Sequence, residues 1–191
     1  MRVRLILASA SPRRAELLAA AGFAFDVDPP HVDETPRAGE PPAHYARRIA
    51  RDKAVAVAAR HRSRVVLAAD TIVVQDGTIF GKPSDRADAV RMLHTLAGGD
   101  HDVLTAVAIA SGGRLAEHIE ATRVTFAPMT TAEVEWYVRS GEADDKAGAY
   151  AIQGLAARFI LRIEGSYSNV VGLPVAAVHR MLEQSPKSLL S

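Results

Sequence analysis

Two serines and two arginines stand close together in SASPRR, a stretch that follows a short apolar run near the start of the chain. Ser11 followed by Pro12 is typical of a helix start, because proline in the first turn gives up no backbone hydrogen bond. A helix N-terminus offers unpaired N–H groups to phosphate, and hydroxyl and guanidinium groups add donors. The stretch therefore predicts either a helix cap with solvent-facing arginines or a phosphate cradle of Ser9, Ser11, Arg13 and Arg14.

Asp70 directly follows RVVLAA, an apolar run that predicts a buried strand. A carboxylate at the end of a sheet strand lies where α/β proteins often place their active sites. Asp76-Gly77 already supplies the residues of a tight hairpin, so a turn does not require Asp70. Asp70 is therefore a candidate metal ligand or general base, and a turn aspartate is the alternative.

Further charged residues stand in predicted loops. Glu34 lies in HVDETP, Lys82 lies between glycine and proline in GKPSD, and DDKAGAY adds two acids and a lysine. Each of these alone is most simply a solvated loop charge. Together they contain what phosphoanhydride hydrolysis requires, namely carboxylates for a divalent ion, cations for the triphosphate and a base for water.

Several classes of protein are excluded by residue type. The chain has no cysteine, so it has no disulfide, thiol nucleophile or cysteine-bound zinc. It has no Walker A, GxGxxG, HExxH or GxSxG motif. The formal net charge is only +1, and Arg47, Arg48 and Arg51 are interpreted as a solvated helix face, so nucleic acid is not an expected partner. No apolar run approaches the ~18 residues of a membrane span, and a cytoplasmic protein is expected.

The elements that would position these residues are those of one α/β domain over residues 1–191 with mixed strand pairing. Hairpin signals at Asp76-Gly77 and Ser111-Gly112-Gly113 argue against an all-parallel sheet. Thr130 and Glu133 match a capping box for a helix that ends at Gly141. Strands are predicted at 2–8, 23–27, 101–110, 114–126 and 158–163, and helices at 12–22, 43–60, 87–96 and 175–182. A further strand at 64–69 is predicted to continue through TIVV to Asp76-Gly77 and to return through TIFGKP. GSYSNVVGLP is predicted to be a loop, and Trp136 and Tyr137 are predicted core residues.

Six blocks of the sequence resemble, in order and with similar spacing, the Maf family of nucleotide pyrophosphatases. The blocks are LILASASPRRAELL, VDETP, AADTIVV, GKPSD, DKAGAYAIQG and EGSYSNVVGLPV. The similarity covers nearly the whole chain, and six ordered blocks are far more specific than any one of them.

The resemblance implies a cytoplasmic hydrolase that uses Mg²⁺ or Mn²⁺ to cleave nucleoside triphosphates to the monophosphate and pyrophosphate. It implies an α/β fold related to that of inosine triphosphate pyrophosphatases, with two lobes around a central cleft. The implied partner is a small-molecule nucleotide, and members of the family are often homodimers. The family is also associated with inhibition of septum formation. A nucleotide-binding regulator of septation that needs no catalysis is therefore an alternative of another class.

Three positions separate the subgroups of the family. The subgroup acting on dTTP and UTP is similar to this chain at SPRR, ADT and IQG, through Arg13, Thr71 and Gln153. The subgroup acting on 7-methyl-GTP has SPWRR, SDQ and SEG instead. The resemblance therefore implies a dTTP/UTP enzyme, with 7-methyl-GTP or another modified nucleotide as the alternative substrate.

The resemblance also implies a role for each site residue. Asp70 matches the proton acceptor of the family, and Glu34 matches a required acid that could share a metal ion with Asp70. Gln153 and Thr71 could recognise a pyrimidine, because an amide offers a donor and an acceptor together. The remaining polar and basic positions would neutralise the triphosphate, and they are Ser9, Ser11, Arg14, Lys53 and Lys82.

Overall fold

A computed structural model describes residues 4–184 of the chain, and it shows a mixed α/β protein. Seven strands form one sheet in the order β2-β1-β3-β5-β6-β7, with β4 paired to β3. The strands are β1 (Arg4–Ala8), β2 (Ala24–Val27), β3 (Val66–Gln75), β4 (Thr78–Phe80), β5 (Asp100–Ser111), β6 (Arg114–Phe126) and β7 (Ile160–Glu164). The α-helices of this range are α1 (Pro12–Ala20), α2 (Pro42–Ala58), α3 (Arg86–Leu96), α4 (Thr131–Arg139), α5 (Tyr167–Val171) and α6 (Val175–Gln184).

The described residues fall into two compact units. Unit 1 contains residues 4–70, 105–120 and 172–184, and unit 2 contains residues 71–104 and 121–171. The α/β class and the mixed sheet predicted from the sequence are confirmed, whereas the central cleft stays a prediction. No helix within residues 4–184 combines the length and the apolar composition needed to cross a membrane.

Unit 1 is organised around parallel pairing of β1 with both β2 and β3. The strand β1 is buried along nearly its whole length, as expected for a parallel strand that is covered on both faces. The core of unit 1 is aliphatic and contains Leu5, Leu7, Leu18, Leu67 and Leu173. The pairing of Ala8 with Ala68 brings the carboxyl ends of these two strand segments to the same edge.

Unit 2 has a separate core, which is richer in aromatic side chains. Phe126, Tyr137 and Tyr150 lie in it, together with aliphatic residues of α3 and α4. The hairpin between β3 and β4 turns at Asp76-Gly77, where both residues have positive φ, as predicted. The capping box of α4 is also confirmed, because Thr130 and Glu133 each accept a hydrogen bond from the other's backbone N–H.

Two local predictions are wrong. The segment GSYSNVVGLP is not entirely loop, because α5 forms within it. Ser166 begins this helix by accepting from Asn169 N at 3.3 Å through Oγ and at 3.1 Å through its carbonyl. Trp136 is not a core residue: it is exposed, and its ring is covered by the guanidinium of Arg158 at 4.7 Å. Tyr137 is fully buried, as predicted.

Candidate active site

The loop between β1 and α1 carries the serines and arginines of SASPRR. The helix α1 begins at Pro12 with Ser11 as its N-cap, although the Ser11 side chain caps no backbone N–H. Ser9 is buried instead, and its Oγ accepts from Ser11 N at 3.1 Å and from Arg14 Nη1 at 3.2 Å. The sequence prediction of a helix start is therefore confirmed, with Ser9 rather than Ser11 bonding the backbone.

The two arginines have different surroundings. Arg14 donates through Nε to Gly172 O at 2.8 Å and through Nη1 to Ala69 O at 2.9 Å. Burial lowers the pKa of Arg14, and the carboxylate of Asp70 opposes that shift. Arg13 is half-buried, and its side chain makes no hydrogen bond or ion pair with the part of the chain that the structure describes. Arg14 thus ties α1 to the backbone of β3 at Ala69, whereas the Arg13 guanidinium keeps its donors for other acceptors.

Lys53 joins the two predicted acids of unit 1. It lies on the buried face of α2, and its Nζ is 2.8 Å from Asp70 Oδ1 and 3.0 Å from Glu34 Oε1. The Lys53 and Asp70 side chains are 10% and 9% exposed, whereas that of Glu34 is 52% exposed. The ammonium therefore connects a buried carboxylate to one that solvent and ligands can reach.

Asp70 lies where β3 extends beyond its pairing with β1, and its carboxylate is almost fully enclosed. Burial raises the pKa of Asp70, although the charge and hydrogen bond of Lys53 and the charge of Arg14 act against the shift. An enclosed carboxylate accepts a proton more readily than an exposed one, and the facing cations limit this effect. The arrangement suits proton transfer.

The loop that carries Glu34 is held against α2 by contacts that the sequence did not reveal. Tyr45 donates through its hydroxyl to Glu34 O at 2.9 Å, and the pKa of Tyr45 is raised to about 12 by burial and by the nearby carboxylates. Arg48 forms a two-point ion pair with Glu40, at 2.6 and 2.7 Å, and also reaches Thr35 O at 3.1 Å. The prediction that Arg48 belongs to a solvated helix face is therefore wrong, whereas Arg47 and Arg51 are exposed. In the sequence, only the spacing of eight residues between Tyr45 and Lys53 indicated that Tyr45 lies on the same face of the helix as a site residue.

The other three predicted site residues lie in unit 2. Thr71 follows Asp70 within β3 and is half-buried. Lys82 and Gln153 are exposed, and neither side chain has a hydrogen bond or ion pair to residues 4–184. The backbone next to Lys82 is tied to the DKAGAY segment, because Gly148 N donates to Gly81 O at 3.0 Å. Gly148 has φ of +68°, and a Cβ there would lie 2.9 Å from Val73 Cγ2, so a larger residue does not fit.

The structure thus brings Ser9, Arg14, Glu34, Lys53 and Asp70 into one connected group in unit 1. The two carboxylates of this group both bond to the Lys53 ammonium. Their remaining oxygens are donors of the kind that a divalent metal ion uses. Within residues 4–184, no group of three or more histidine, cysteine or acidic side chains lies close enough to hold a metal ion.

A comparison with protein families now decides the family. The sequence model of the family described as Maf-like protein matches residues 4–185, which is nearly the whole chain. The chain belongs to the Maf family. The resemblance found in the six sequence blocks is therefore confirmed.

Curated Maf relatives are about half identical to this chain over almost its full length. One from Geobacter metallireducens is 54% identical over 178 residues, covering 92% of each chain. One from Koribacter versatilis is 51% identical over 181 residues, covering 95% of this chain and 94% of the relative. One from Vibrio cholerae is 48% identical, covering 95% and 97%. All three are named dTTP/UTP pyrophosphatase.

The fold of this Maf protein is also found in a solved structure of low sequence similarity. The Staphylococcus aureus Ham1 protein superposes with a TM-score of 0.51 at 11% identity, covering 96% of this chain and all of that one. At this identity the likeness concerns the fold alone.

Proposed function

We propose that this Maf protein hydrolyses dTTP and UTP to the nucleoside monophosphate and pyrophosphate. The names of its close relatives support this activity, and so do Arg13, Thr71 and Gln153, which match the dTTP/UTP subgroup. The observation that carries the proposal is the buried carboxylate of Asp70, which bonds to Lys53 just beyond the last pair of β1 and β3 residues. A base beside cations is what attack on a triphosphate requires.

In this mechanism Asp70 acts as the general base. Lys53 holds Oδ1 of Asp70 at 2.8 Å and so fixes the orientation of the carboxylate. The Asp70 carboxylate accepts a proton from a water molecule as the water oxygen bonds to the α-phosphorus. The bond from the α-phosphorus to the bridging oxygen breaks, and pyrophosphate leaves with the electron pair. Lys53 thereby orients the base rather than donating a proton.

Cationic side chains offset the charge that develops on the pyrophosphate. Arg13 and Lys82 are assigned to the phosphates because their side chains have no hydrogen-bond or ion-pair partner within residues 4–184. Hydrogen bonds to charged groups contribute about 1.5–3 kcal/mol each. Ser11 adds a hydroxyl at the start of α1. The resemblance places Ser9 and Arg14 at the triphosphate as well, but they bond to each other at 3.2 Å and Arg14 also bonds two backbone carbonyls, so we assign both to support of the loop.

Glu34 and Asp70 are the residues that would hold a divalent metal ion. Mg²⁺ commonly takes one or two protein carboxylates and fills its remaining positions with water and substrate phosphates. A pair of acids held together by Lys53 fits this mode, because each carboxylate keeps a second oxygen that does not bond to the ammonium. When bound, Mg²⁺ or Mn²⁺ supplies charge neutralisation for the triphosphate.

Gln153 is assigned to the base of the substrate. Its exposed amide offers one donor and one acceptor, which match the adjacent carbonyl and N–H of thymine or uracil. Thr71 and Arg13 complete the set that separates the subgroups. The homodimer and the cytoplasmic location stay predictions.

A pyrophosphate-release screen with purified protein and Mg²⁺ tests the proposed function. The panel contains dTTP, UTP, CTP, GTP, ATP and 7-methyl-GTP, and the nucleotide product is identified for each. We expect monophosphate plus pyrophosphate, with dTTP and UTP turned over fastest. Diphosphate plus phosphate would contradict the reaction, and fastest turnover of 7-methyl-GTP would contradict the substrate. Nucleotide binding without turnover of any member would favour a regulator without catalysis.

A further inference from the structure

The residue assigned to base reading lies in a short turn. Gly154 N donates to Ala151 O at 3.2 Å, which closes a four-residue turn with Gln153 in its third position. The Gln153 side chain is exposed, so side-chain packing does not set its direction. The direction in which this side chain leaves the backbone therefore depends on how firmly the turn is held by its neighbours.

Two side chains hold the backbone on either side of Gln153. Ala151 N donates to the hydroxyl of Tyr137 at 3.1 Å. Leu155 N donates to the carboxylate of Glu142, with Oε1 at 3.0 Å and Oε2 at 2.9 Å. The first anchor lies on α4 and the second lies three residues after it, so one region of unit 2 fixes both ends of the turn.

The two anchors are themselves connected. Ser140 Oγ accepts from Glu142 N at 3.2 Å and donates to Tyr137 O at 2.6 Å. This serine therefore links the backbone of one anchor to the backbone of the other at the end of α4. Tyr137, Ser140 and Glu142 thus form one hydrogen-bonded network, and the 151–155 turn is bonded to this network at both of its ends.

The close approach of Glu142 explains the glycine that follows Gln153. A Cβ on Gly154 would lie 2.2 Å from Glu142 Oε1 and 2.4 Å from Oε2, which is far below contact distance. A larger residue at 154 would push the Glu142 carboxylate away from this backbone. The G of IQG is thus required by the Glu142 anchor rather than by a left-handed backbone, because φ of Gly154 is −120°.

We propose that Glu142 and Tyr137 are positioning residues for substrate specificity, which clamp the 151–155 turn so that the Gln153 side chain leaves the backbone at a fixed place beside the pyrimidine edge. The inference rests on the proposed function. An amide reads a base edge only if the backbone that carries it is held at a fixed place, and the charge-assisted bond of Glu142 to Leu155 N holds that backbone. Neither residue touches the substrate.

The test compares the kcat/KM values for UTP and CTP, since cytosine carries an amino donor where uracil carries a carbonyl acceptor. We expect Glu142→Ala to lower the UTP to CTP ratio by about tenfold, the value of one lost hydrogen bond to a charged group. Tyr137→Phe is expected to lower the ratio less, because it removes a neutral hydroxyl. Glu142→Gln keeps one carbonyl oxygen as an acceptor and is expected to retain most of the ratio.

Glu135→Ala is the matched control, because Glu135 has the same charge and lies on α4 in an exposed pair with Arg139. We expect it to leave the ratio unchanged. Hydrogen exchange at Leu155 N–H gives a readout independent of turnover, and it should accelerate in Glu142→Ala but not in the control. In a Gln153→Ala background, Glu142→Ala should cause no further loss of discrimination.

Three results would overturn the clamp, namely an unchanged ratio in Glu142→Ala, unchanged exchange at Leu155, or an equal effect with and without Gln153. The last result would show that Glu142 acts on the fold in general. An assay of the wild-type protein distinguishes failure of the clamp from failure of the proposed function. If that protein releases no pyrophosphate from UTP, the function is contradicted, and the specificity role of the clamp falls with it.

Discussion

Lys53 donates to Asp70 across 2.8 Å, and both side chains are nine-tenths buried. Such a pair loses much of its hydration on folding, so each charge depends on the other. The 3.0 Å contact from Lys53 to the exposed Glu34 extends the pair to the surface of unit 1. Charge balance in this group is therefore both a structural and a catalytic requirement.

Replacement of Lys53 by methionine should lower both the stability of the protein and its release of pyrophosphate. The variant leaves two carboxylates facing each other with Asp70 buried, so the free energy of unfolding should fall by about 3 kcal/mol. Pyrophosphate release should also fall by at least about 100-fold, because the base loses its orienting partner. Urea unfolding and a pyrophosphate assay measure the two effects.

The control for this variant is Arg51→Met on the same helix. Arg51 pairs with Glu117 at 2.8 Å, but its side chain is 49% exposed, and such pairs contribute about 0–1 kcal/mol. If Lys53→Met and Arg51→Met cost the same stability, the buried pair has no special energetic role.

Substitution of Arg14 should lower stability, whereas substitution of Arg13 should weaken substrate binding. Arg14→Ala removes the donors for Gly172 O and Ala69 O and should lower the free energy of unfolding by about 1–3 kcal/mol. Arg13→Ala breaks no hydrogen bond or ion pair within residues 4–184, so stability should hardly change. It should instead raise the KM for dTTP by about tenfold, as one charge-assisted contact is lost.

Urea unfolding and steady-state kinetics on both variants check this contrast. A destabilisation by Arg13→Ala as large as that by Arg14→Ala would show that both arginines are structural. An unchanged KM in Arg13→Ala would remove Arg13 from the phosphate site.

A buried histidine in unit 2 should make stability depend on pH. His101 is 2% exposed, its Nε2 lies 2.7 Å from the Tyr150 hydroxyl, and its ring contacts Phe126 edge-on. Burial lowers the pKa of His101 from 6.5 to about 4, against the opposing charges of Asp100 and Asp102. The unfolded chain therefore binds a proton that the folded chain rejects, so stability is complete above about pH 6.5 and declines as pH falls toward 4.

Between pH 7 and pH 5 this single group should cost about 2 kcal/mol of unfolding free energy. His101→Gln keeps a polar atom near Tyr150 but does not titrate, so its stability should fall less over the same interval. Urea unfolding of both proteins at the two pH values gives the difference. Equal pH dependence in the two proteins would mean that His101 titrates normally.

Local signals in the sequence predicted most elements of the fold. Ser11-Pro12, the Thr130–Glu133 capping box and Asp76-Gly77 each determine a helix start or a turn through neighbouring backbone groups, and the structure has all three. The helix α5 was not predicted, because it has only five residues and begins at Ser166 in a segment rich in serine and glycine.

Contacts between distant positions in the chain could not be predicted in the same way. The acceptor of Arg14 at Gly172 lies 158 residues away, and Arg48 meets Glu40 across a loop. Nothing in the local sequence indicates such partners. The sequence therefore assigns Arg14 to the triphosphate, although the fold uses its guanidinium to bond Gly172 O and Ala69 O.

The most direct test of the account is pyrophosphate release from dTTP and UTP by Asp70→Asn with Mg²⁺ present. Asparagine has nearly the shape of aspartate, and Lys53 keeps Glu34 as an ionic partner, so the variant should unfold cooperatively like the wild type. Its release of pyrophosphate should fall by at least about 100-fold, the typical contribution of a general base. A folded Asp70→Asn protein that releases pyrophosphate at a near-wild-type rate would contradict Asp70 as the base.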